Sequence, residues 1–180
     1  RDGLYGLEFT APKNRIINTI VYEYLTSRDQ SGPILQNPSG DMSGQAGGMD
    51  WYYIHTYYQS WQHWGMSICN PHTLSPLYNE EPTLTMPNQR LRSHHIGFDG
   101  QPANTLHYRF MGSWSKHWGS LEDPLPTPLT QLSLMGELTY SPLKWRGWQF
   151  TGALALDRSL LIGNNFGGMI TIRKIGKIKD

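Results

Sequence analysis

At 180 residues and 20.6 kDa the chain is long enough for one ordinary domain and short for two. Charged residues make up only 16%, aromatic residues 12%, and the formal net charge is +1, which excludes the basic footprint of a nucleic-acid binder and argues against bulk disorder. The single cysteine, Cys69, excludes an internal disulfide framework and a Cys-based zinc cluster, and no apolar run approaches the roughly 18 residues of a membrane helix.

The predicted elements are strands, marked by alternation of apolar and polar residues with period two. The first two cover 4–10 and 16–26, joined by a tight turn at 11–15. A long connecting segment, about 27–87, follows and leads to a strand near 89–98 and a turn at Asp99-Gly100-Gln101-Pro102. In 89–98, Arg90, Arg92 and His94 share a face with Ile96 and Phe98 while His95 lies on the other, which predicts a bulge or an extension beyond the bilayer there. From 104 to 115, Leu106, Tyr108, Phe110, Gly112 and Trp114 oppose Thr105, His107, Arg109, Met111 and Ser113. After a long loop at 116–128, the strand 130–141 sets Leu132, Leu134, Gly136, Leu138 and Tyr140 against Gln131, Ser133, Met135, Glu137 and Thr139. A short turn at 142–144 leads to 145–157, with Trp148, Phe150, Gly152, Leu154 and Leu156 on its apolar face. A loop at 158–165 precedes the last strand, 166–174.

These runs are longer than the usual strand of about 5 or 6 residues and suit a tilted membrane-spanning strand of about 9 to 11. Tyr108, Trp114, Tyr140, Trp145 and Trp148 gather near strand ends, where an interfacial girdle would sit. Short and long connections alternate, as periplasmic turns and outside loops do in outer-membrane barrels. The expectation is therefore an all-β fold: an antiparallel transmembrane β-barrel, with residues 1–180 as one barrel region. A soluble β-sandwich or lipocalin-like barrel alternates equally well and stays open as the alternative. Seven strands would leave two edges in lipid, so the chain reads as the C-terminal part of a larger barrel. Arg1-Asp2-Gly3, without an initiator Met or an apolar leader, agrees with a piece of something longer.

The segment 27–87 is chemically distinctive. It carries turn material at 40–48 and then Trp51, Tyr52, Tyr53, His55, Tyr57, Tyr58, Gln59, Trp61, Gln62, His63 and Trp64. Aromatic rings stack on the apolar faces of sugars while amides and hydroxyls bond sugar hydroxyls. A small folded core built from the same rings is the alternative. Tyr57, Tyr58, Gln59, Trp61 and Trp64 are thus candidate polysaccharide-binding residues, joined by Arg90, Arg92, His107 and Arg109 if these line a polar lumen. Lumen residues that merely pair with one another are the other reading.

No catalytic or metal signature accompanies them. His94-His95 are adjacent, so in a strand their rings point to opposite faces and cannot share one ion. His55 and His63 are eight apart, His107 and His117 ten apart, and neither HExxH nor a GxSxG elbow occurs. The pairs Glu80-Glu81 and Glu122-Asp123 sit in loops without the geometry of a glycosidase dyad. The expectation is a noncatalytic protein without cofactor or metal.

Several motifs resemble the Wzi family of capsule assembly proteins. They are Tyr22-Glu23-Tyr24, Asp29-Gln30-Ser31-Gly32-Pro33, Trp61-Gln62-His63-Trp64-Gly65-Met66, Asn70-Pro71 and Ser75-Pro76-Leu77-Tyr78-Asn79. Asn88-Gln89-Arg90-Leu91-Arg92-Ser93-His94-His95-Ile96-Gly97, Tyr108-Arg109, Trp118-Gly119 and Gly163-Asn164-Asn165-Phe166-Gly167 extend the resemblance over most of the chain. It implies a large barrel of about eighteen strands in the outer membrane of a Gram-negative bacterium. It also implies a cell-surface role in binding, anchoring or assembling capsular or extracellular polysaccharide, with outer-membrane lipid as the second partner. The terminal Ile178-Lys179-Asp180 departs from the usual barrel ending in lacking an aromatic residue. A porin-like channel for anionic solutes and a soluble β-sandwich lectin are the alternative functions.

Overall fold

The computed structural model describes residues 2–11, 16–30, 34–35, 46–47, 51–54, 57, 60–68, 70–79, 81, 83–121 and 123–176. Two strands open the chain, β1 (Gly3–Thr10) and β2 (Thr19–Thr26). Two small ribbons follow, β3 (Ile34–Leu35) with β4 (Ala46–Gly47) and β5 (Gln62–His63) with β6 (Met66–Ser67), then a 3-10 turn at Pro76–Tyr78. The remaining strands are β7 (Leu91–Ala103), β8 (Leu106–Gly119), β9 (Pro124–Tyr140), β10 (Trp148–Ser159) and β11 (Asn165–Lys174).

The seven long strands form one sheet in the order β1-β2-β7-β8-β9-β10-β11. Every neighbour is sequential except at the β2–β7 joint. β10 runs antiparallel to both β9 and β11, in a register that sets bulk against glycine: Leu154 lies between Gly136 and Gly168, and Gly152 between Leu138 and Ile170. That pattern agrees with the period-two faces read from the sequence, since a register slip by one residue would place every side chain on the wrong face.

Two expectations are corrected. A barrel requires the first and last strands of its sheet to pair. Among the described residues β1 and β11 are instead the two edges of an open sheet. The fold class is thus all-β, an open antiparallel sheet, and the transmembrane barrel with its lumen is withdrawn. Alternating faces report which side of a strand is apolar; they carry no information about closure. No helix among the described residues is long and apolar enough to cross a membrane.

The alternation of short and long connections is also absent from the second half of the chain. β7 runs on through the expected turn at 99–102 and reverses at Asn104-Thr105. β8 and β9 absorb most of the expected loop at 116–128 and leave only 120–123 between them. Pro124, Pro126 and Pro128 fall in that stretch. They share one parity of β9, in a portion beyond the 131–140 span that pairs with β10. The missing N–H groups therefore leave no β10 partner unsatisfied, which is how proline is tolerated in a sheet.

The chain divides into two compact units. One comprises Arg1–Tyr5, Tyr24–Ser93 and Ser115–Thr130. Its interior is mainly polar: Met86 and Leu91 are buried beside Ser27, Gln30, Asn88, Gln89, Ser93, Ser115 and His117. Such groups are tolerated inside only when hydrogen-bonded. Ser27 Oγ donates to the Gln89 carbonyl at 2.6 Å, Gln30 Nε2 to Gln89 Oε1 at 3.4 Å, and Gln89 Nε2 to the Met86 carbonyl at 3.3 Å.

The other unit comprises Gly6–Glu23, His94–Trp114 and Gln131–Asp180. On β9, β10 and β11 the apolar positions Leu138, Leu154, Ile170 and Ile172 are exposed, whereas Ala153 and Ser159 on the other parity of β10 are buried. On β10 the apolar parity is thus the more exposed one, while β11 is exposed on both parities.

Candidate functional site

In the first unit, the hairpin β5–β6 reverses through Trp64 and Gly65, with φ of 52° and 78°. Two successive positive φ values define a type I′ turn, the form whose twist matches a two-residue hairpin and whose preferred sequence is Asn-Gly. Glycine at the second position is free to adopt it. An indole-bearing residue at the first position is not, and the left-handed conformation costs about 1–3 kcal/mol there. The surroundings hold the turn in place: the Gly65 amide donates to Gln62 Oε1 at 2.7 Å, and the Leu77 amide donates to the Gly65 carbonyl at 2.9 Å. The ribbon is tied back by Trp61 N–H to the Tyr53 carbonyl at 3.0 Å and Ile68 N–H to the Trp61 carbonyl at 3.1 Å.

This strained turn presents its ring to solvent. Trp64 is 87% exposed, against an edge-on contact with His63 at 6.1 Å, and Trp61 is 59% exposed. Beside Trp64 lies a groove of about 820 Å³ whose lining includes His63, Leu77, Asn79, Glu81 and Thr83. Asn79 spends its amide nitrogen on the Thr83 carbonyl, Thr83 Oγ1 and the Thr85 carbonyl, at 2.9–3.0 Å. Its Oδ1 is buried without a hydrogen-bond partner. An orphaned acceptor of that kind costs about 1–3 kcal/mol until a donor reaches it.

The other residues expected to bind polysaccharide fall as follows. Tyr57 is 86% exposed; Tyr58 and Gln59 lie outside the described residues, as do His55, Cys69 and the turn material at 40–45. Arg90 spends its guanidinium on backbone, donating from Nε to the Arg28 carbonyl at 2.9 Å and from Nη1 to the Ser120 carbonyl at 3.4 Å. Arg92 packs on Trp118, its Cζ 5.8 Å from the indole centroid. His107 and Arg109 belong to the second unit. There His107 Nε2 stands 3.7 Å from Asp99 Oδ1, and Arg109 Nη2 donates to Glu137 Oε2 at 3.2 Å. With no closed barrel these four residues line no lumen, and the channel reading falls with it.

A buried row of Ser115, His117 and Asn88 was not singled out from the sequence. Its members come from different elements and meet only after β8 folds against the stretch preceding β7. Ser115 Oγ is 2.7 Å from His117 Nε2, and Asn88 Nδ2 is 2.7 Å from His117 Nδ1. The Gly119 amide donates to Asn88 Oδ1 at 3.3 Å, so Asn88 presents its nitrogen to the ring. His117 Nδ1 is therefore the acceptor, and the proton sits on Nε2, which donates to Ser115. A base that activates serine needs a free Nε2; this tautomer is that of a structural histidine. Burial, aided by the charge of His72, lowers the His117 pKa from 6.5 to about 4. His94 and His95 separate as expected, His94 toward Tyr22 at 2.8 Å and His95 toward Ser113 at 2.7 Å. No group of three or more metal-ligating side chains occurs among the described residues.

The fold and the groove together define an all-β chain with an exposed aromatic platform beside an orphaned amide acceptor. No family model matches the chain, and comparison with curated proteins and with solved structures likewise finds no match. The resemblance to the Wzi family is corrected accordingly: neither homology nor barrel closure supports it. The outer-membrane location and the role in capsule assembly rested on that resemblance and on the barrel, and are withdrawn with them.

Proposed function

We propose that this chain is a noncatalytic carbohydrate-binding β-domain, a lectin, with its sugar site in the groove beside Trp64. The observation that carries the reading is Trp64 itself: a bulky ring held in a left-handed turn, almost fully exposed, where asparagine would be the relaxed choice. Backbone strain of this kind persists at binding sites because the ligand uses the resulting side-chain position. A pyranose stacked on the indole would place hydroxyls toward Glu81 and Thr83, which line the same groove. A volume of about 820 Å³ lies within the range of small-molecule sites, roughly 300–1,000 Å³.

The test is the pair Trp64→Ala and Trp64→Asn, screened against neutral and acidic polysaccharides by affinity electrophoresis and titration. Both variants should weaken binding about 10-fold or more, the loss expected for a central aromatic anchor. Trp64→Asn should also raise the unfolding free energy by about 1 kcal/mol, because Asn-Gly relaxes the turn. Unchanged binding in a folded Trp64→Ala protein would reject the groove as the sugar site.

A further inference from the structure

Trp118, on β8 in the first unit, is surrounded by cations. Arg28 Cζ lies 4.8 Å from the indole centroid, Lys116 Nζ 5.6 Å and Arg92 Cζ 5.8 Å. The three come from the segment after β2, from β8 and from β7. They are brought together because the Trp118 amide donates to the Arg90 carbonyl at 2.8 Å, and the Arg90 guanidinium fixes the Arg28 backbone. One cation over an indole is worth about 0.5–1 kcal/mol at an exposed site. Three on the same ring repel one another, and the indole quadrupole does not repay that repulsion.

The usual compensation is a carboxylate, and among the described residues none pairs with these three cations. Among the described residues Arg109 pairs with Glu137 and His107 stands against Asp99, both in the second unit. Arg28 Nε and Arg92 Nε are moreover buried with no hydrogen-bond partner. Two guanidinium donors removed from water and left empty mark the place of an acceptor that the described residues do not supply.

We infer that Arg28, Arg92 and Lys116, gathered on Trp118, form an oxyanion-binding site that takes the acidic group of a glycan, a carboxylate or a sulfate ester. The guanidinium forks supply paired N–H donors, the ammonium supplies a third charge, and the indole supplies a flat face for the sugar ring that carries the acid. The site names the chemical class of the polymer and rests on the carbohydrate reading, but it uses different residues from the Trp64 groove.

The experiment is a titration of the full chain with polygalacturonate, with dextran as the neutral control and inorganic phosphate as the free anion. Polygalacturonate should bind more tightly than dextran, with affinity falling as salt rises. Arg92→Gln and Lys116→Gln should each weaken polygalacturonate binding about 10-fold or more and leave dextran unaffected, while Arg92→Lys retains part of the affinity. Equal binding of the two polymers, or wild-type affinity in the folded Gln variants, would overturn the site. So would binding of phosphate without polygalacturonate, or preference for a single-stranded oligonucleotide.

Should the Gln variants not fold, the unmodified protein still decides. Polygalacturonate should raise its melting temperature where sodium chloride at the same ionic strength does not, and no rise would overturn the proposal. The two readings fail separately. Polygalacturonate binding lost in Arg92→Gln but kept in Trp64→Ala would retain the anion site and reject the groove, and the opposite pattern would do the reverse.

Discussion

His117 has both ring nitrogens occupied inside the first unit, by Asn88 and Ser115, and has no room for a second proton. Its folded pKa of about 4 lies below the 6.5 of the unfolded chain. Between those values the unfolded chain takes up a proton that the folded chain refuses. The stability contributed by the neutral ring is therefore complete above about pH 6.5 and is lost as the pH falls toward 4, by up to about 3 kcal/mol. Denaturant midpoints at pH 7 and pH 4.5 should show the drop, and His117→Gln should flatten it; a parallel drop in the variant would assign it to other groups. In the sequence His117 is one histidine among seven, ten positions from His107, and nothing local marks it as buried. Trp64 is different. Its place in an aromatic run was legible, while the left-handed turn that exposes it follows from the Gln62 and Leu77 hydrogen bonds.

At the scale of the element, period-two alternation located the last four long strands, because side-chain parity is written directly into the residue order, while β1, β2 and β7 rested on less regular patterns. Their ends were less legible. Asp99-Gly100-Gln101-Pro102 has the composition of a turn yet continues β7, since Gly100 is where another segment of the second unit comes closest. A Cβ at Gly100 would overlap the Ile16 carbonyl oxygen and stand 2.7 Å from the Tyr108 ring. The Tyr108 hydroxyl donates to that same carbonyl. Gly152, at the middle of β10, has nothing within 4 Å of such a Cβ. Gly100→Ala should cost about 1–3 kcal/mol and Gly152→Ala less than about 0.5 kcal/mol, measured by urea unfolding. Equal effects would mean that the close approach at Gly100 relaxes without cost. The distinction between the two glycines is invisible in the sequence, where both sit on alternating runs.

The whole molecule was the least legible scale. Alternation, strand length and an aromatic girdle are properties of single strands, whereas closure depends on which strands pair, and the edges β1 and β11 are set by that pairing alone. The same reason hid the cluster on Trp118. Arg92, Lys116 and Trp118 were each visible, but Arg28 reaches them only through the β2–β7 joint. That joint is sealed by polar contacts: the Ser27 amide donates to the Leu91 carbonyl at 2.9 Å, and Gln89 bonds Gln30 and Ser27. Gln89→Ala removes the acceptor of the buried Gln30 amide and should cost about 1–3 kcal/mol. Native-state hydrogen exchange should then show β2 amides losing protection while β10 amides keep theirs. A uniform loss would show that the joint opens only with the rest of the sheet.

The same joint sets an order of assembly. β7 to β11 are linked in sequence by the connections 104–105, 120–123, 141–147 and 160–164, but β2 meets β7 only after the segment 27–90 has been spanned. Closing so long a loop costs roughly 2 kcal/mol more in chain entropy than closing a turn of a few residues. The meander from β7 onward is thus the natural nucleus, and β2 with β1 arrives late. Until it does, the outer edge of β7 is an unpaired ladder, and the cations that converge on Trp118 are not yet assembled. The anion site is then among the last features of the molecule to form, and a ligand that binds there would pull the final step of folding to completion.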